Sequence, residues 1–128
     1  MIDLSFMNKP GPLTPEEWEI MKKHPVTADR FLAPLPFLEK VRPIIRHHHE
    51  RLDGSGYPDA LAGDEIDQLT QIIAVADSYD AMTSQRSYRK SLTRKEALDD
   101  LHQSVGRFYR IEIVKGLCDY FENGHILG

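Results

Sequence analysis

Three consecutive histidines at residues 47–49 stand shortly before a Gly-Ser-Gly-Tyr-Pro loop at residues 54–58. Neutral imidazole is the commonest protein ligand for transition metals. Neighbouring side chains at a helix end point about 100° apart, so adjacent histidines can serve two ions, or one ion and its surroundings. Paired metals carry out phosphate-ester chemistry in many enzymes. The pattern therefore predicts a metal site beside a loop that grips a ligand.

Plainer explanations of the same residues stay open. A histidine run can be a solvated surface or a purification remnant, although this run is internal and follows an apolar segment at residues 41–46. The two loop glycines can belong to an ordinary turn, because turns use the positive φ angles that glycine supplies. The histidines and the loop indicate a site only when they are taken together.

Asp77 is a further candidate ligand, since it follows an apolar run at residues 72–76 that predicts a buried helix. An ionised carboxylate in such a helix is costly unless it binds a metal or pairs with a cation. Asp77 is therefore either a ligand or the partner of a buried arginine. Asp80 lies three residues later on the same helical face, where it can hydrogen-bond a ligand.

The wider pattern resembles the HD-GYP family of cyclic di-GMP phosphodiesterases, over residues 8–105. The matching segments are residues 9–18 (KPGPLTPEEW), His24 with Pro25, residues 48–51 (HHER), residues 53–58 (DGSGYP), residues 76–84 (ADSYDAMTS) and residues 86–90 (RSYRK). The family is a metal-dependent, all-helical domain that hydrolyses the bacterial second messenger cyclic di-GMP to linear products. The resemblance implies the same fold and activity here.

The resemblance also implies roles for particular residues. The metal ligands would be His24, His48, His49 and Asp77, holding iron or manganese in a cluster of two or three ions. Tyr57 would lie against the dinucleotide, with Gly56 permitting a close approach of the backbone. Arg86 and Arg89 resemble the family's phosphate and base contacts, a role that suits the planar guanidinium. A solvated basic loop is the alternative for these arginines.

Two parts of the family pattern are absent from the sequence. The His-Asp pair that gives the family its first two letters, with its glycine and lysine, lies upstream of the segment matching residues 9–18. The family's Asp-Pro pair after phenylalanine is replaced by Tyr109 and Arg110 after Phe108. The sequence is therefore either a piece of a longer protein or a degenerate domain. The other ligands can hold one ion, because such a site needs about three protein ligands and water, but hydrolysis by this chain alone should be very weak or absent.

Two functions are compatible with these features. One is the C-terminal portion of a cyclic di-GMP phosphodiesterase domain, in which metal-activated water attacks a phosphodiester. The other is a non-catalytic module that binds the dinucleotide, or that docks on a diguanylate cyclase through residues 54–58. An incomplete bundle leaves apolar surface uncovered, so we also expect a homodimer.

Composition narrows the class of protein. The 128 residues carry a net charge of −4, with 41% hydrophobic and 28% charged residues, which suits a small globular domain and gives no basic surface for duplex nucleic acid. No apolar run reaches the roughly 18–20 residues of a membrane span, and no export leader is recognisable. A single cysteine, Cys118, fits a reducing cytoplasm.

Helix signals predict an all-α, HD-domain-like orthogonal bundle, truncated at its N-terminus. Thr14, Pro15 and Glu17 form a capping pattern, so a helix should run from there to His24, where Pro25 breaks or kinks it before a segment at residues 26–32. Further helices are expected at residues 38–49, 69–83, 93–104 and 111–121, in one partial domain with a lead-in at 1–12 and a tail at 123–128. The core candidates are Trp18, Phe31, Phe37, Ile72, Val75 and Leu98.

Overall fold

The computed structural model describes residues 13–84 and 90–123, which form five α-helices and no strand. The helices are α1 (Pro15–Leu32), α2 (Arg42–His47), α3 (Gln68–Thr83), α4 (Arg94–Gln103) and α5 (Ile111–Glu122), with single 3₁₀ turns at Pro36–Leu38 and Gly63–Glu65. The predicted all-α bundle is confirmed. Within the described ranges, no helix combines the length and apolar character needed to cross a membrane.

Helix α1 starts at the predicted capping box. Thr14 Oγ1 accepts a hydrogen bond from the Glu17 amide at 3.2 Å, and Glu17 Oε1 accepts one from the Thr14 amide at 2.8 Å. The predicted end at His24 is wrong, because the helix continues through a buried Pro25 to Leu32. Proline removes one backbone hydrogen bond, and the packing of α1 along α2 keeps the following turns helical.

Helix α2 is shorter than predicted. Residues 38–49 divide into the end of a 3₁₀ turn and the six-residue helix Arg42–His47. Pro43 lies in the first turn, where a missing amide costs nothing because first-turn amides have no partner inside the helix. The histidines still come at the helix end, with His48 as the C-cap residue.

The core lies where α3 packs against α4 and α5. Its buried members are Ala74, Val75, Leu101, Tyr109 and Val114. Of the predicted core residues, Val75 is buried and Leu98 packs against the cluster. Four predictions are wrong, with these exposed fractions: Trp18 47%, Phe31 78%, Phe37 80% and Ile72 43%. Large apolar residues are not always inside, and a small bundle has too few layers to cover every helix face.

Ion pairs tie α1 and α2 to the loop that follows them. Asp29 of α1 accepts hydrogen bonds from Arg42 Nε at 2.8 Å and from Arg46 Nη1 at 3.2 Å. Arg46 also holds both carboxylate oxygens of Asp59, at 2.8 and 3.1 Å, and His47 Nε2 lies 2.8 Å from Asp59 Oδ2. The network therefore fixes the helix end from which the site histidines project.

Candidate metal centre

The structure brings three of the four predicted ligands together. One ligand atom each of His48, His49 and Asp77 lie within 4.8 Å of one another. His48 and His49 follow α2, whereas Asp77 comes from the middle of α3. His24, on an exposed position of α1, is not in this group. The group thus depends on how α3 is placed against the end of α2.

His48 is oriented for metal binding by the backbone of its own helix. Its Nδ1 lies 2.9 Å from the Ile45 carbonyl oxygen and 3.3 Å from that of Ile44. A carbonyl oxygen can only accept, so Nδ1 carries a proton, and in the neutral ring Nε2 is the nitrogen that presents a lone pair. Metal-binding histidines use this arrangement, in which the second ring nitrogen is fixed by a hydrogen bond.

His49 is held in its neutral form by its surroundings. Burial lowers its pKa to about 4, aided by the nearby charges of His48, Arg51 and His24. At neutral pH the ring therefore keeps a lone pair available to a metal.

Asp77 completes the group from an unexpected side of its helix. The prediction that Asp77 is buried is wrong, because α3 buries Thr70, Gln71, Ala74 and Val75 and leaves Asp77 exposed. Because the run before Asp77 is apolar at every position, its side chains occupy both the buried and the exposed face of the helix. Two imidazoles and one carboxylate form a ligand set that suits a divalent transition metal. The chemistry of the three residues therefore fits such an ion.

The loop tyrosine packs directly on the histidines. The Tyr57 ring is stacked on the His49 ring, with centroids 5.0 Å apart and planes at 21°, and it meets Trp18 edge-on at 5.6 Å. Burial raises the pKa of Tyr57, so its hydroxyl keeps its proton at neutral pH. Tyr57 thus packs its aromatic ring against His49, one of the candidate ligands.

Gly56 holds this loop against the chain's own backbone. A Cβ at Gly56 would lie 2.5 Å from Glu50 Cα and 2.6 Å from the Arg51 amide nitrogen, and closer still to the His49 carbonyl oxygen. Any side chain would push the loop away from residues 49–51. The close approach at Gly56 is therefore made to the segment that carries His49, a role that the sequence did not predict.

A cavity of about 480 Å³ opens beside Tyr57. Its lining includes His49, Gly56 and Tyr57, with the cations Lys22 and Arg51 and the exposed indole of Trp18. Its size falls within the range of small-molecule sites. Two cations and aromatic rings in one cavity suit an anionic ligand that also carries flat rings.

A second group of possible ligands, His47, Glu50 and Asp59, has a structural explanation. Asp59 is paired with Arg46 and His47. The two oxygens of the buried Glu50 accept hydrogen bonds from the amides of Asp59 at 2.8 Å and Leu61 at 2.9 Å. Because these carboxylates already have partners, the three residues hold the loop in place. They do not indicate a second metal centre.

One other predicted site residue is not joined to the group, and two more lie outside the part of the chain that the structure describes. Asp80 is exposed and accepts a 3.3 Å hydrogen bond from Ser84 Oγ on its own helix. Arg86 and Arg89 lie outside the described residues, so their predicted roles stay predictions. The sequence reasoning missed the contact of Arg51 with Tyr109, although Tyr109 stood out as a departure from the family pattern.

Comparisons with known proteins identify the family to which the chain belongs. A family model described as HD domain matches residues 4–111, so the chain belongs to the HD-domain family. A cyclic di-GMP phosphodiesterase of Thermotoga maritima is 45% identical over 109 residues, covering 84% of this chain and 30% of that protein. The 3'3'-cGAMP-specific phosphodiesterase 2 of Vibrio cholerae is 34% identical over 120 residues, covering 92% of this chain and 23% of that protein.

A solved structure shares the fold. Bd1817, an HDG"Y"P protein from Bdellovibrio bacteriovorus, superimposes with a TM-score of 0.71 at 22% identity, covering 91% of this chain and 37% of that chain. The family predicted from the sequence motifs is therefore confirmed. The chain spans 30% or less of the length of the two phosphodiesterases described above.

Proposed function

We propose that the chain is the metal-binding portion of an HD-type phosphodiesterase domain that acts on a cyclic dinucleotide. The observation that carries the proposal is the meeting of His48, His49 and Asp77 beside a cationic, aromatic cavity. The names of the related proteins support the substrate class, since they include enzymes for cyclic di-GMP and for 3'3'-cGAMP.

The chain's own residues have separate tasks in this proposal. Lys22 and Arg51 attract the phosphates, and Tyr57 and Trp18 flank the bases. His48, His49 and Asp77 would hold iron or manganese, which when bound supplies a Lewis acid and an activated water. His24 is proposed as a further ligand in a complete cluster, and Asp80 as a group that supports one. Arg86 and Arg89 are proposed as additional phosphate contacts.

Catalysis by this chain alone is proposed to be very weak or absent. The family's His-Asp pair and its lysine are not in the sequence, and the described residues gather three ligands at one point. Three ligands can hold one ion, but a hydroxide shared between two metals needs the bridging carboxylate. A protein that supplies the pair would restore hydrolysis.

The test is metal content together with turnover. The tag-free chain is loaded with iron or manganese and compared with His49→Ala and with His102→Ala, a control at an exposed histidine on α4. We expect metal on the parent chain and the control, and loss of it in His49→Ala. Plasma mass spectrometry gives the content, and linear products from cyclic di-GMP and 3'3'-cGAMP give the rate. Equal metal content in all three proteins would contradict the proposed metal centre. Rapid turnover by the parent chain would contradict the proposal that its catalysis is very weak or absent.

A non-catalytic binding module is the second candidate. It is favoured by the cavity, which is formed by residues of this chain while the ligand set is incomplete. In this case the chain would bind cyclic di-GMP, or dock on a diguanylate cyclase through residues 54–58, without hydrolysis. Calorimetric binding of cyclic di-GMP by the metal-free chain would favour it.

The single free cysteine, Cys118, supports the cytoplasm as the proposed location.

A further inference from the structure

The hydroxyl of Tyr109 joins two segments that are far apart in the chain. Arg51 Nη1 lies 2.6 Å from the Tyr109 oxygen, and Ser78 Oγ lies 2.6 Å from the same oxygen. Tyr109 itself is only 4% exposed. Because a guanidinium can only donate, the tyrosine oxygen accepts from Arg51, and either hydroxyl can be the donor between Tyr109 and Ser78. The result is a partly buried chain of hydrogen bonds from Arg51 through Tyr109 to Ser78.

Each end of this chain of hydrogen bonds lies next to a candidate ligand. Arg51 comes two residues after His49, and Ser78 directly follows Asp77. No helix contains both ends, since Arg51 follows α2 and Ser78 belongs to α3. Tyr109 therefore connects the segment that carries the histidine pair to the helix that carries Asp77.

Further contacts make the Arg51 end rigid. The Arg51 guanidinium lies 5.2 Å from the ring centroids of both Phe108 and Tyr109. The backbones pair as well, through hydrogen bonds from the Leu52 amide to the Phe108 carbonyl at 3.1 Å and from the Asp53 amide to the Arg107 carbonyl at 2.9 Å. The segment after the histidines is thus fastened to the turn that carries Tyr109, and the Tyr109 hydroxyl continues the connection to α3 at Ser78.

We propose that Tyr109 is a positioning residue for the metal centre, and that its hydroxyl sets the separation between Asp77 and the histidine pair. The proposal rests on the proposed function, because it assumes that these residues bind a metal. Tyr109 does not touch the metal or the substrate. It acts through Ser78 on the helix of Asp77 and through Arg51 on the segment of His49.

The experiment measures Mn²⁺ affinity of the full chain from the loss of the free-ion EPR signal. Tyr109→Phe removes only the hydroxyl and keeps the ring that packs in the core and under Arg51. We expect Mn²⁺ to bind about 10-fold more weakly, the lower end of what outer partners of metal ligands contribute. The matched control is Tyr79→Phe, which removes a hydroxyl from another core-packed tyrosine, on α3 itself. It should bind Mn²⁺ as the parent does.

A double variant separates positioning from general loosening of the fold. Ser78→Ala cuts the same connection at its other end, so Tyr109→Phe with Ser78→Ala should bind Mn²⁺ no more weakly than Tyr109→Phe alone. Circular dichroism confirms that each variant is folded. Tyr109→Phe with parent Mn²⁺ affinity, whatever its stability, would overturn the positioning role and leave the metal site intact. A parent chain that binds no Mn²⁺ would overturn the proposed function and this inference with it.

Discussion

At the scale of single residues, two adjacent histidines are prepared for metal binding by different means. The ring of His48 is fixed by the carbonyl oxygen of Ile45, which selects the tautomer with a free Nε2. His49 is neutral because burial and nearby positive charge lower its pKa to about 4. His49 therefore offers a lone pair at neutral pH, and the neutral ring of His48 offers its Nε2.

The first residue-scale prediction concerns Gly56. We expect Gly56→Ala to lower the free energy of unfolding by about 1–3 kcal/mol, because the added methyl overlaps the backbone of residues 49–51. The displaced loop should also carry Tyr57 away from His49 and weaken metal binding. Urea unfolding followed by circular dichroism measures the stability.

Gly116 provides the control for this substitution. It lies within α5, and a Cβ there would have no atom within 4 Å. Gly116→Ala should therefore be neutral or raise the free energy of unfolding by about 1 kcal/mol, as alanine does in helices. Equal stability changes in the two variants would show that the contact at Gly56 is not the cause.

The candidate site was predictable in residue type but not in geometry. The motifs indicated His48, His49, Asp77 and Tyr57, and the structure places these four side chains near one another. The exposure of Asp77 was not predictable, since a nearly continuous apolar run has no period from which to choose a face. The contact of Tyr109 with Arg51 joins residues 58 positions apart, and local pattern holds no information on such a pairing.

At the scale of elements, the ion-pair network decides how α1, α2 and the loop hold together at different pH. Hydrogen bonds from Arg46 lower the Asp59 pKa to about 2, from an ordinary value of 3.8. Burial raises the pKa of Asp29, but hydrogen bonds from Arg42 and Arg46 outweigh it and the net shift is downward. Both carboxylates therefore bind fewer protons in the folded state than in the unfolded state at mildly acidic pH.

The network predicts a loss of stability in acid. A lowered folded-state pKa contributes stability above the unfolded value, and that contribution disappears as the pH falls through the folded value. For Asp59 the loss should extend from about pH 4 to about pH 2. We expect Asp59→Asn to be less stable than the parent at pH 7 and to show a shallower decline over this range. Thermal unfolding at a series of pH values measures both.

Asp99→Asn is the matched control for the acid prediction. Its partner is Lys95, one helical turn away at 2.9 Å on an exposed surface, and such pairs contribute little to stability. This variant should follow the parent at every pH. An unchanged acid profile in Asp59→Asn would show that the pairing with Arg46 and His47 does not support the fold.

Helix starts were more predictable than helix ends. The capping boxes at Thr14 and Thr93 mark the first residues of α1 and α4, because the cap contacts are local in sequence. The continuation of α1 past Pro25 depends on packing against α2, which no local pattern records. Pro43 lies in the first turn of α2 and favours a helix start at that point, so α2 has only the six residues Arg42–His47 of the predicted range 38–49.

At the scale of the whole molecule, large apolar side chains remain exposed on α3 and α5. The exposed members on α3 and α5 are Leu69, Ile72, Ile73, Ile111 and Tyr120. Between these helices lies a groove of about 480 Å³ whose lining includes Ile72, Val75, Ile113, Leu117 and Tyr120. Monomeric proteins rarely expose large continuous apolar patches. The described part of the chain thus has a surface that association would bury.

We expect this face to pair with a second copy of the chain. A two-fold dimer buries the same patch on both copies and closes the assembly. Light scattering at tens of micromolar should then report twice the 14.7 kDa of the chain. Ile72→Glu introduces a charge in the groove and should shift the protein to monomer, whereas Gln103→Glu, on an exposed position of α4, should leave the dimer intact. A parent chain that is monomeric at this concentration would show that the face is not a contact between copies.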